Sequence, residues 1–349
     1  MKFIDLFAGI GGFRLGMESA GHECVAFCET DKFARASYKA IHNTEGEIEL
    51  HDITTVTDDE IRNIGHVDAI CGGFPCQAFS IAGHRRGFED TRGTLFFEIA
   101  RFAAILKPKY LFLENVKGLL NHDKGNTFET ILSALDELGY DVEWQVLNSK
   151  DFGVPQNRER VFIIGHLRGQ RGRKIFPIRG KDEKSSAERL GINILGNTKN
   201  PNGTAKGTRD IVHDPKGIVG TLMASDYKGA KQVAIPNEIK KIRVREATKQ
   251  GYAEASVGDS VNLSHPNSKT RRGRVGEGNA NTLVTGDSQG VVTPNFRIRK
   301  LTPREYWRLQ GFPDWAFDKA QEVNSNSQLY KQAGNSVTVN VIKEIARYL

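Results

Sequence analysis

The chain has 349 residues, of which 38% are hydrophobic, and its formal net charge at pH 7 is +7. This length allows one large domain with a sizeable core and a smaller second domain. The sequence contains no apolar run of membrane-spanning length and opens without a secretory leader, so it predicts a cytoplasmic protein. The four cysteines form no CxxC pair, which argues against a disulfide framework and against a zinc site.

The first half of the sequence alternates short apolar strands with helical patterns, which is typical of a parallel sheet covered by helices on both faces. Strands are predicted at 2–7, 23–29, 67–73, 110–116, 142–148 and 160–167, and helices at 13–20, 31–41, 94–106 and 127–138. From residue 168 to about 299 the sequence becomes rich in Gly, Asn and basic residues and predicts short strands and loops. Thr302 then has the signature of a helix cap, and a final apolar helix over 338–348 should pack on the first domain.

The predicted organisation is therefore an α/β domain with a mostly parallel sheet, made of residues 1–168 and 300–349, and a smaller, irregular β-rich domain of residues 169–299. Residues 1–165 carry a net charge of −8, whereas residues 166–349 carry +15. A strongly basic half indicates contact with a polyanion, and nucleic acid is favoured over a plain solvated surface. Thr221-Leu222 and Thr282-Leu283 open two similar stretches 61 residues apart, which are either two like hairpins or a chance match.

A glycine-rich turn follows the first predicted strand. The turn, 7–12, reads Phe-Ala-Gly-Ile-Gly-Gly and leads into a helix, where glycine lets the backbone approach a ligand closely. Glu29 ends the second strand at the spacing of a carboxylate that binds ribose hydroxyls. Asp52 ends a predicted third strand at the same edge and can accept a hydrogen bond from an adenine amino group. These features predict a site for an adenosine-bearing cofactor, although a plain tight turn gives the same glycine pattern.

A cysteine and a glutamate end two neighbouring strands of the predicted sheet. Cys76 follows Pro75 at one strand end, and Glu114 follows the apolar run 110–113. A lone cysteine is more often a small buried hydrophobe, but a carboxyl that ends a buried strand is costly unless it has a use or a partner. The pair suits alkylation of an electron-poor aromatic ring, with the thiol as nucleophile and the acid handling a proton.

Two arginines and a basic loop complete the set of candidate residues. Arg158 and Arg160 flank Glu159 just before a strand, so they should point the same way and clamp a phosphate, a carboxylate or a base edge. A structural salt bridge is the simpler alternative. Residues 78–93 form a glycine-containing basic loop directly after the thiol, which can close over a bound polyanion.

With these motifs, and with Gly334-Asn335-Ser336-Val337 near the end, the chain resembles the short, single-chain DNA cytosine-5 methyltransferases of bacteria and phages. The matching segments, in the order that the family has them, are 5–12, 29, 52, 74–80, 114–116, 156–160 and 334–337. They span nearly the whole chain. The resemblance does not extend over about 170–270, where the family varies because this region reads the DNA sequence.

The resemblance implies a Rossmann-like fold, S-adenosylmethionine as methyl donor and double-stranded DNA whose target cytosine is flipped out of the duplex. It implies that Cys76 adds to carbon-6 of the base, that Glu114 protonates nitrogen-3, and that Arg160 holds the base oxygen beside Arg158. The implied cofactor contacts are Phe7, Gly9, Gly11, Glu29, Thr30, Asp52, Pro75, Leu95 and Asn335. The predicted DNA contacts are Gln77, Ser80, Arg85, Arg86, Arg272, Arg274 and Thr282. The charge and the loops of residues 168–299 predict, apart from the resemblance, that this stretch chooses the DNA sequence, with the best base-reading neighbourhoods at 226–231 and 269–274.

No metal and no obligate protein partner are expected, and a companion restriction endonuclease acting separately is compatible with the sequence. Three other functions stay open. A tRNA cytosine-5 methyltransferase would share the fold, and activity on each polymer would separate the two. A nicotinamide-dependent oxidoreductase would explain the glycine turn and Glu29 but gives Cys76 and Glu114 no role. A catalytically inactive binding module is disfavoured because the candidate catalytic side chains are all present.

Overall fold

The computed structural model describes residues 1–75, 95–170, 172–180, 194–197, 211–213, 219–228, 231–236, 242–256, 259–262, 268, 270, 272–276, 289–292, 296–300 and 302–349. The predictions for Cys76, Gln77, Ser80, Arg85, Arg86 and Thr282 lie outside these residues. The second copy of the partial repeat, apart from its last residues, also lies outside them.

The first domain contains eight strands and nine α-helices among the residues described. The strands are β1 (Lys2–Leu6), β2 (Glu23–Cys28), β3 (Ile48–Leu50), β4 (Ala69–Gly73), β5 (Tyr110–Val116), β6 (Tyr140–Asn148), β7 (Gln156–Asn157) and β8 (Glu159–Leu167). The helices are α1 (Gly12–Glu18), α2 (Lys32–Ile41), α3 (Asp58–Asn63), α4 (Leu95–Leu106), α5 (Asn126–Glu137), α6 (Pro303–Leu309), α7 (Asp314–Val323), α8 (Asn326–Asn335) and α9 (Val339–Ala346). Short 3₁₀ helices cover Lys117–Gly125, Ser149–Phe152 and Ala224–Lys228.

Seven strands form one sheet in the order β3-β2-β1-β4-β5-β8-β6. Every neighbouring pair is parallel except those of β8, which runs antiparallel to both β5 and β6. The predicted sheet is therefore mostly parallel, as expected, with one reversed strand. The order of strands reverses between β1 and β4, and the crevice beyond the carboxyl ends of such strands is where open α/β sheets bind ligands.

Alternate side chains of the strands enter two apolar layers, one on each face of the sheet. Ile4 of β1 belongs to the layer covered by α4 and α5, whereas Phe3 belongs to the layer covered by α1 and α9. The last helix contributes Val341, Ile342 and Ile345 to this second layer, so the prediction that it packs on the first domain is confirmed. Burial on both faces explains why the strands read as continuous apolar runs.

Two predicted helix starts are also confirmed. Asp31 caps α2, where its side chain accepts hydrogen bonds from the backbone of Phe33 and Ala34. Thr302 and Glu305 form a reciprocal capping box at the start of α6. The two ends of the chain's first domain lie close together, since α7 and α8 both contact α2.

The second domain consists of short strands in small sheets. Its strands are β9 (Ile194–Asn197), β10 (Ile211–His213), β11 (Val219–Gly220), β12 (Gln232–Pro236), β13 (Ile242–Arg245), β14 (Tyr252–Ala255), β15 (Ser260–Asn262), β16 (Val275–Gly276), β17 (Gln289–Val291) and β18 (Phe296–Lys300). They form the sheets β18-β12-β10-β9, β13-β14 and β16-β15-β17, while β11 pairs with β7 of the first domain.

Residues beyond the predicted domain boundary at 168 still pack on the first domain. Ile175, Phe176 and Ile178 are buried in the apolar layer beneath α9, and Glu143 of β6 accepts hydrogen bonds from the backbone of Ile175 and Phe176. The chain therefore stays on the first domain through residue 180. Within the residues that the structure describes, no helix has the length and apolar character needed to cross a membrane.

Candidate active site

A cavity of about 450 Å³ lies at the carboxyl ends of β1, β2, β4 and β5. Its volume is within the range of small-molecule sites. Eight of the nine predicted cofactor residues line it, together with three of the four predicted catalytic residues; these are Phe7, Gly9, Glu29, Thr30, Asp52, Pro75, Leu95, Asn335, Glu114, Arg158 and Arg160. One cavity thus unites two sets of side chains that the sequence assigns to different ligands.

The turn after β1 and the end of β2 are tied together at the floor of this cavity. Phe7 and Gly9 both have positive φ, 55° and 57°, and Phe7 pays a steric cost for a conformation that is uncommon outside glycine. Glu29 accepts a hydrogen bond from the backbone of Gly9 and another from that of Asp31, each at 2.8 Å. Burial raises the pKa of the Glu29 carboxyl, and these two bonds oppose the rise. The turn and the carboxylate therefore hold each other in place.

Gly11 is the exception among the predicted cofactor residues, because it does not line the cavity. It caps α1 with φ at 81°, and a Cβ atom added there would lie 2.0 Å from Nε2 of His42. The glycine is required by the turn and by the imidazole behind it. A contact between Gly11 and the cofactor stays a prediction.

Sequence reasoning missed the contribution of α8 to the same cavity. Lys331 and Gln332 line it, and Nζ of Lys331 lies 2.7 Å from Oδ2 of Asp31, which lines it too. Gln332 donates to the backbone oxygen of Phe33 at 3.1 Å. Both residues lie one helical turn before Asn335 and so on the same face of α8. This spacing from a predicted cofactor residue is the signal in the sequence that could have identified them.

Glu114 is buried within β5, with 7% of its surface exposed. It is paired with Gly73 of β4, and a Cβ atom added to that glycine would lie 3.1 Å from its Oε2. Nε of Arg160 lies 2.9 Å from Oε1 of Glu114, so the two side chains form an ion pair. Among the described residues, this oxygen has no partner with the geometry of a hydrogen bond. Burial raises the pKa of Glu114, and the positive charges of Arg160 and Arg158 oppose this rise.

Asn115 connects the end of β5 to the segment that leads into Cys76. Its Nδ2 donates to the backbone oxygen of Phe74 at 2.9 Å, and its Oδ1 accepts from the backbone of Val116 at 2.8 Å. Phe74 precedes Pro75, whose ring restricts the backbone further. The asparagine beside Glu114 thus fixes the backbone two residues ahead of the predicted nucleophile.

The two arginines line the same cavity, as predicted, but they differ in their partners. Arg158 is buried and donates to the backbone oxygens of Leu222, Gly334 and Ser336 at 3.1, 3.3 and 2.8 Å. Burial, followed by the charge of Arg160, lowers the pKa of Arg158 to about 9. Arg160 lies next to Glu114. The guanidinium of Arg158 therefore binds backbone oxygens, whereas the guanidinium of Arg160 pairs with the carboxyl.

Two predictions about DNA-reading residues of the second domain need correction. Arg272 is exposed, but Arg274 is buried and its guanidinium donates to the backbone oxygen of Arg245 at 3.0 Å. Arg274 therefore supports the fold of this domain, and its side chain is not presented to a groove of DNA.

Within the neighbourhood 226–231, Lys228 is exposed, whereas Asp226 and Lys231 are buried. Asp226 and Lys231 are both covered, and the hydroxyl of Tyr306 donates to Oδ2 of Asp226 at 3.1 Å while it accepts from the backbone of Lys231 at 2.8 Å. These residues join the second domain to α6. They do not form an exposed base-reading surface.

The strand order, with a cavity at its reversal, is that of an open α/β sheet that binds its ligand at the switch point. A crystal structure of the S. pombe Dnmt2 methyltransferase aligns with a TM-score of 0.61 and 16% identity, covering 99% of this chain and 96% of that one. A crystal structure of a putative DNA modification methyltransferase encoded in an E. coli prophage aligns with a TM-score of 0.53 and 20% identity, covering 99% and 97%. At these identities the likeness concerns the fold.

Sequence comparisons identify the family. The model of the C-5 cytosine-specific DNA methylases matches residues 1–349. The type II methyltransferase M.HhaI of Haemophilus parahaemolyticus is 37% identical and covers 99% of this chain and 93% of its own length. The orphan methyltransferase M.SPRI of Bacillus phage SPR is 33% identical, with coverage of 100% and 97%. The chain belongs to the C-5 cytosine-specific DNA methylase family, and it is a DNA cytosine-5 methyltransferase.

Proposed function

We propose that this methyltransferase uses S-adenosylmethionine and acts on a cytosine flipped out of double-stranded DNA, with Cys76 as nucleophile and with Glu114 and Arg160 holding the base. One observation carries the proposal. A buried carboxyl with a raised pKa lies beside an arginine in the same cavity as the glycine turn and Glu29. A base and an adenosine-bearing methyl donor can therefore meet in one enclosed space.

The residues of the cavity fit S-adenosylmethionine. Each oxygen of Glu29 accepts one backbone N–H and retains lone pairs for the ribose hydroxyls, as expected of a carboxylate at the end of a second strand. Asp52 also lines the cavity, where its carboxylate can accept a hydrogen bond from the adenine amino group. The remaining lining residues assigned to the cofactor are Phe7, Thr30, Pro75, Leu95 and Asn335. When bound, the cofactor supplies the methyl group and leaves as S-adenosylhomocysteine.

The chemistry begins at the base. The thiolate of Cys76 forms a bond to carbon-6 of the ring while Glu114 delivers its proton to nitrogen-3, and the electron pair of the ring shifts to carbon-5. After carbon-5 carries the methyl group, loss of its proton to water breaks the bond between sulfur and carbon-6. The proton on nitrogen-3 then returns to Glu114. The burial that raises the pKa of Glu114 favours the protonated form that this step requires.

Arg160 and Arg158 have different tasks in this scheme. Arg160 lies beside Glu114, where its guanidinium can donate to the oxygen on carbon-2 of the same base. Arg158 is engaged by three backbone oxygens, so we assign it a positioning role in place of the direct one that the sequence suggested. A charge next to Glu114 limits how far burial can raise the pKa of that carboxyl.

The polymer is read by the second domain, which we place between residue 180 and residue 302. The basic half of the chain supplies phosphate contacts, and a few exposed side chains such as Arg272 read base edges. Some relatives are named type II methyltransferases and others orphan methyltransferases. The second name denotes an enzyme without a companion endonuclease. We propose that the single chain acts on duplex DNA without a protein partner.

The test compares DNA from a host that expresses the protein with DNA from the same host expressing Glu114→Gln. Bisulfite sequencing should reveal new 5-methylcytosine at one short sequence in the first DNA and strongly reduced methylation in the second. Transfer RNA from the same cells is sequenced in parallel. Methylation confined to transfer RNA would refute the DNA assignment, and equal methylation by both proteins would refute the role of Glu114.

A further inference from the structure

Five buried polar side chains form a cluster beside the cavity, which we call the polar hub: Ser149, Gln156, Arg158, Gln310 and Thr338. The hydroxyl of Thr338 lies 2.8 Å from that of Ser149 and 2.9 Å from Oε1 of Gln310. Gln310 in turn donates to the backbone oxygen of Ala333 at 2.7 Å. The hub joins segments that are far apart in sequence, and buried networks of this kind are costly to disrupt in part.

Gln156 occupies the centre of the hub and links the two domains. Its Oε1 accepts from the backbone of Leu222 at 3.1 Å, and its Nε2 donates to the backbone oxygen of Leu309 at 2.8 Å. The same strand pairs with Val219–Gly220, and the hydroxyl of Thr221 donates to the backbone oxygen of Asn157 at 2.6 Å. The segment 219–222 of the second domain is thereby fixed to β7.

Arg158 extends this link to the cavity. Gln156 holds the backbone N–H of Leu222, and Arg158 holds the backbone oxygen of the same residue. The other nitrogen of the guanidinium donates to the residues on either side of Asn335, which lines the cavity. A displacement of Leu222 would therefore change the position of Arg158, and with it the walls on the cofactor side.

We propose that Gln156 is a positioning residue that couples the seating of the second domain on DNA to the geometry of the cavity. The proposal rests on the proposed function. Because coupling between two binding sites is reciprocal, target DNA should tighten cofactor binding by the same factor as cofactor tightens DNA binding, and such factors are about 5- to 150-fold. Removing the amide of Gln156 should remove this factor while leaving the ribose side of the cavity intact.

The experiment uses the full-length protein and Gln156→Met, a change that keeps the side-chain length and removes the hydrogen bonds of the amide to Leu222, Leu309 and Gln310. Gln145→Met is the matched control, because Gln145 bonds in the same way to both backbone groups of Ile178, at 2.8 and 2.9 Å, away from the cavity. Calorimetry measures the affinity for S-adenosylhomocysteine with and without a duplex carrying the methylated sequence. The single-turnover rate of methylation is divided by the concentration of active sites. That concentration is measured as the amount of protein that DNA containing 5-fluorocytosine traps covalently.

In the wild type and in Gln145→Met, the duplex should tighten S-adenosylhomocysteine binding at least about fivefold. In Gln156→Met the factor should fall below twofold, and the single-turnover rate should drop at least tenfold, with affinity in the absence of DNA within threefold of the wild type. If Gln156→Met only lowers the melting temperature, as the control does, and keeps the factor and the rate, the positioning role is overturned.

A second variant covers the case in which Gln156→Met does not fold. Thr221→Val removes one hydrogen bond to β7 from the side of the second domain and should also reduce the coupling factor. An unchanged factor in this variant would overturn the proposal. A wild-type protein that methylates no cytosine in DNA would refute the proposed function itself, whereas one that methylates DNA but shows no coupling would refute only the role of Gln156.

Discussion

Replacing Glu114 with Gln removes the acidic proton and keeps the shape of the side chain. Because Glu114 is buried and its raised pKa favours the protonated form, its main contribution should be to the reacting base and not to packing. General acid catalysis contributes about 10²- to 10⁴-fold to a rate, which corresponds to about 2.7 to 5.5 kcal/mol at about 1.36 kcal/mol per tenfold. The single-turnover rate should fall by a factor in this range. Affinity for the cofactor should change by less than about threefold, since Glu29 and the glycine turn are untouched.

The assay follows methyl transfer to a duplex at saturating DNA and cofactor. Glu143→Gln is the matched control, because Glu143 is a part-buried glutamate that bonds to His166 and to the backbone of Ile175, away from the cavity. The control should keep most of its rate even if its stability falls. A Glu114→Gln protein that turns over at near the wild-type rate would show that the base is protonated by another group.

The pH dependence provides a second check on Glu114. A carboxyl whose pKa is raised in the folded state stabilises the protein while it is protonated, and this contribution is lost as pH rises through the folded pKa. Glutamine cannot ionise, so the melting temperature of Glu114→Gln should gain on that of the wild type as pH increases above the ordinary range of a carboxyl. The rate of the wild type should fall over the same interval if the proton is required. A difference in melting temperature that stays constant from below the ordinary pKa of a glutamate, about 4.3, upward would contradict the raised pKa.

Three further predictions concern the nucleophile, the wall of the site and the choice of sequence. A duplex containing 5-fluorocytosine should form a denaturation-resistant adduct at Cys76 in the presence of cofactor, and an adduct at any other residue would exclude this nucleophile. Gly73→Ala should slow methylation more than about tenfold, because its Cβ would lie 3.1 Å from Oε2 of Glu114. The control Gly118→Ala should not slow it, because that Cβ would meet only a methyl group at 3.9 Å. Equal rates for the two variants would mean that the carboxyl of Glu114 adapts. Exchanging residues 242–292, which carry β13 to β17 and leave the polar hub intact, for those of a relative with another target should change the methylated sequence in bisulfite reads. An active hybrid that keeps the original sequence would move recognition elsewhere.

Local sequence patterns determined most of the secondary structure and singled out the candidate reactive residues. Apolar runs punctuated by glycine and proline predicted the strands of the first domain to within a few residues, because strands buried on both faces require continuous apolar side chains. Asp31 and Thr302 predicted helix starts, because a cap depends only on atoms three residues away. The pairing of Cys76 with Glu114 stays a prediction for the thiol, while the carboxyl lines the cavity as expected.

Tertiary structure decided what depends on partners distant in the sequence. Lys331 enters the cavity because α8 lies against the start of α2, which no local pattern specifies. The exposure of a polar side chain is likewise a long-range property, so Arg274 and Asp226 read as surface residues but are buried among backbone and hydroxyl partners. Arg158 and Arg160 look equivalent in sequence. Only the packing of Gly334–Ser336 and Leu222 around one of them, and of Glu114 beside the other, separates a guanidinium that binds the backbone from one that pairs with a buried carboxyl.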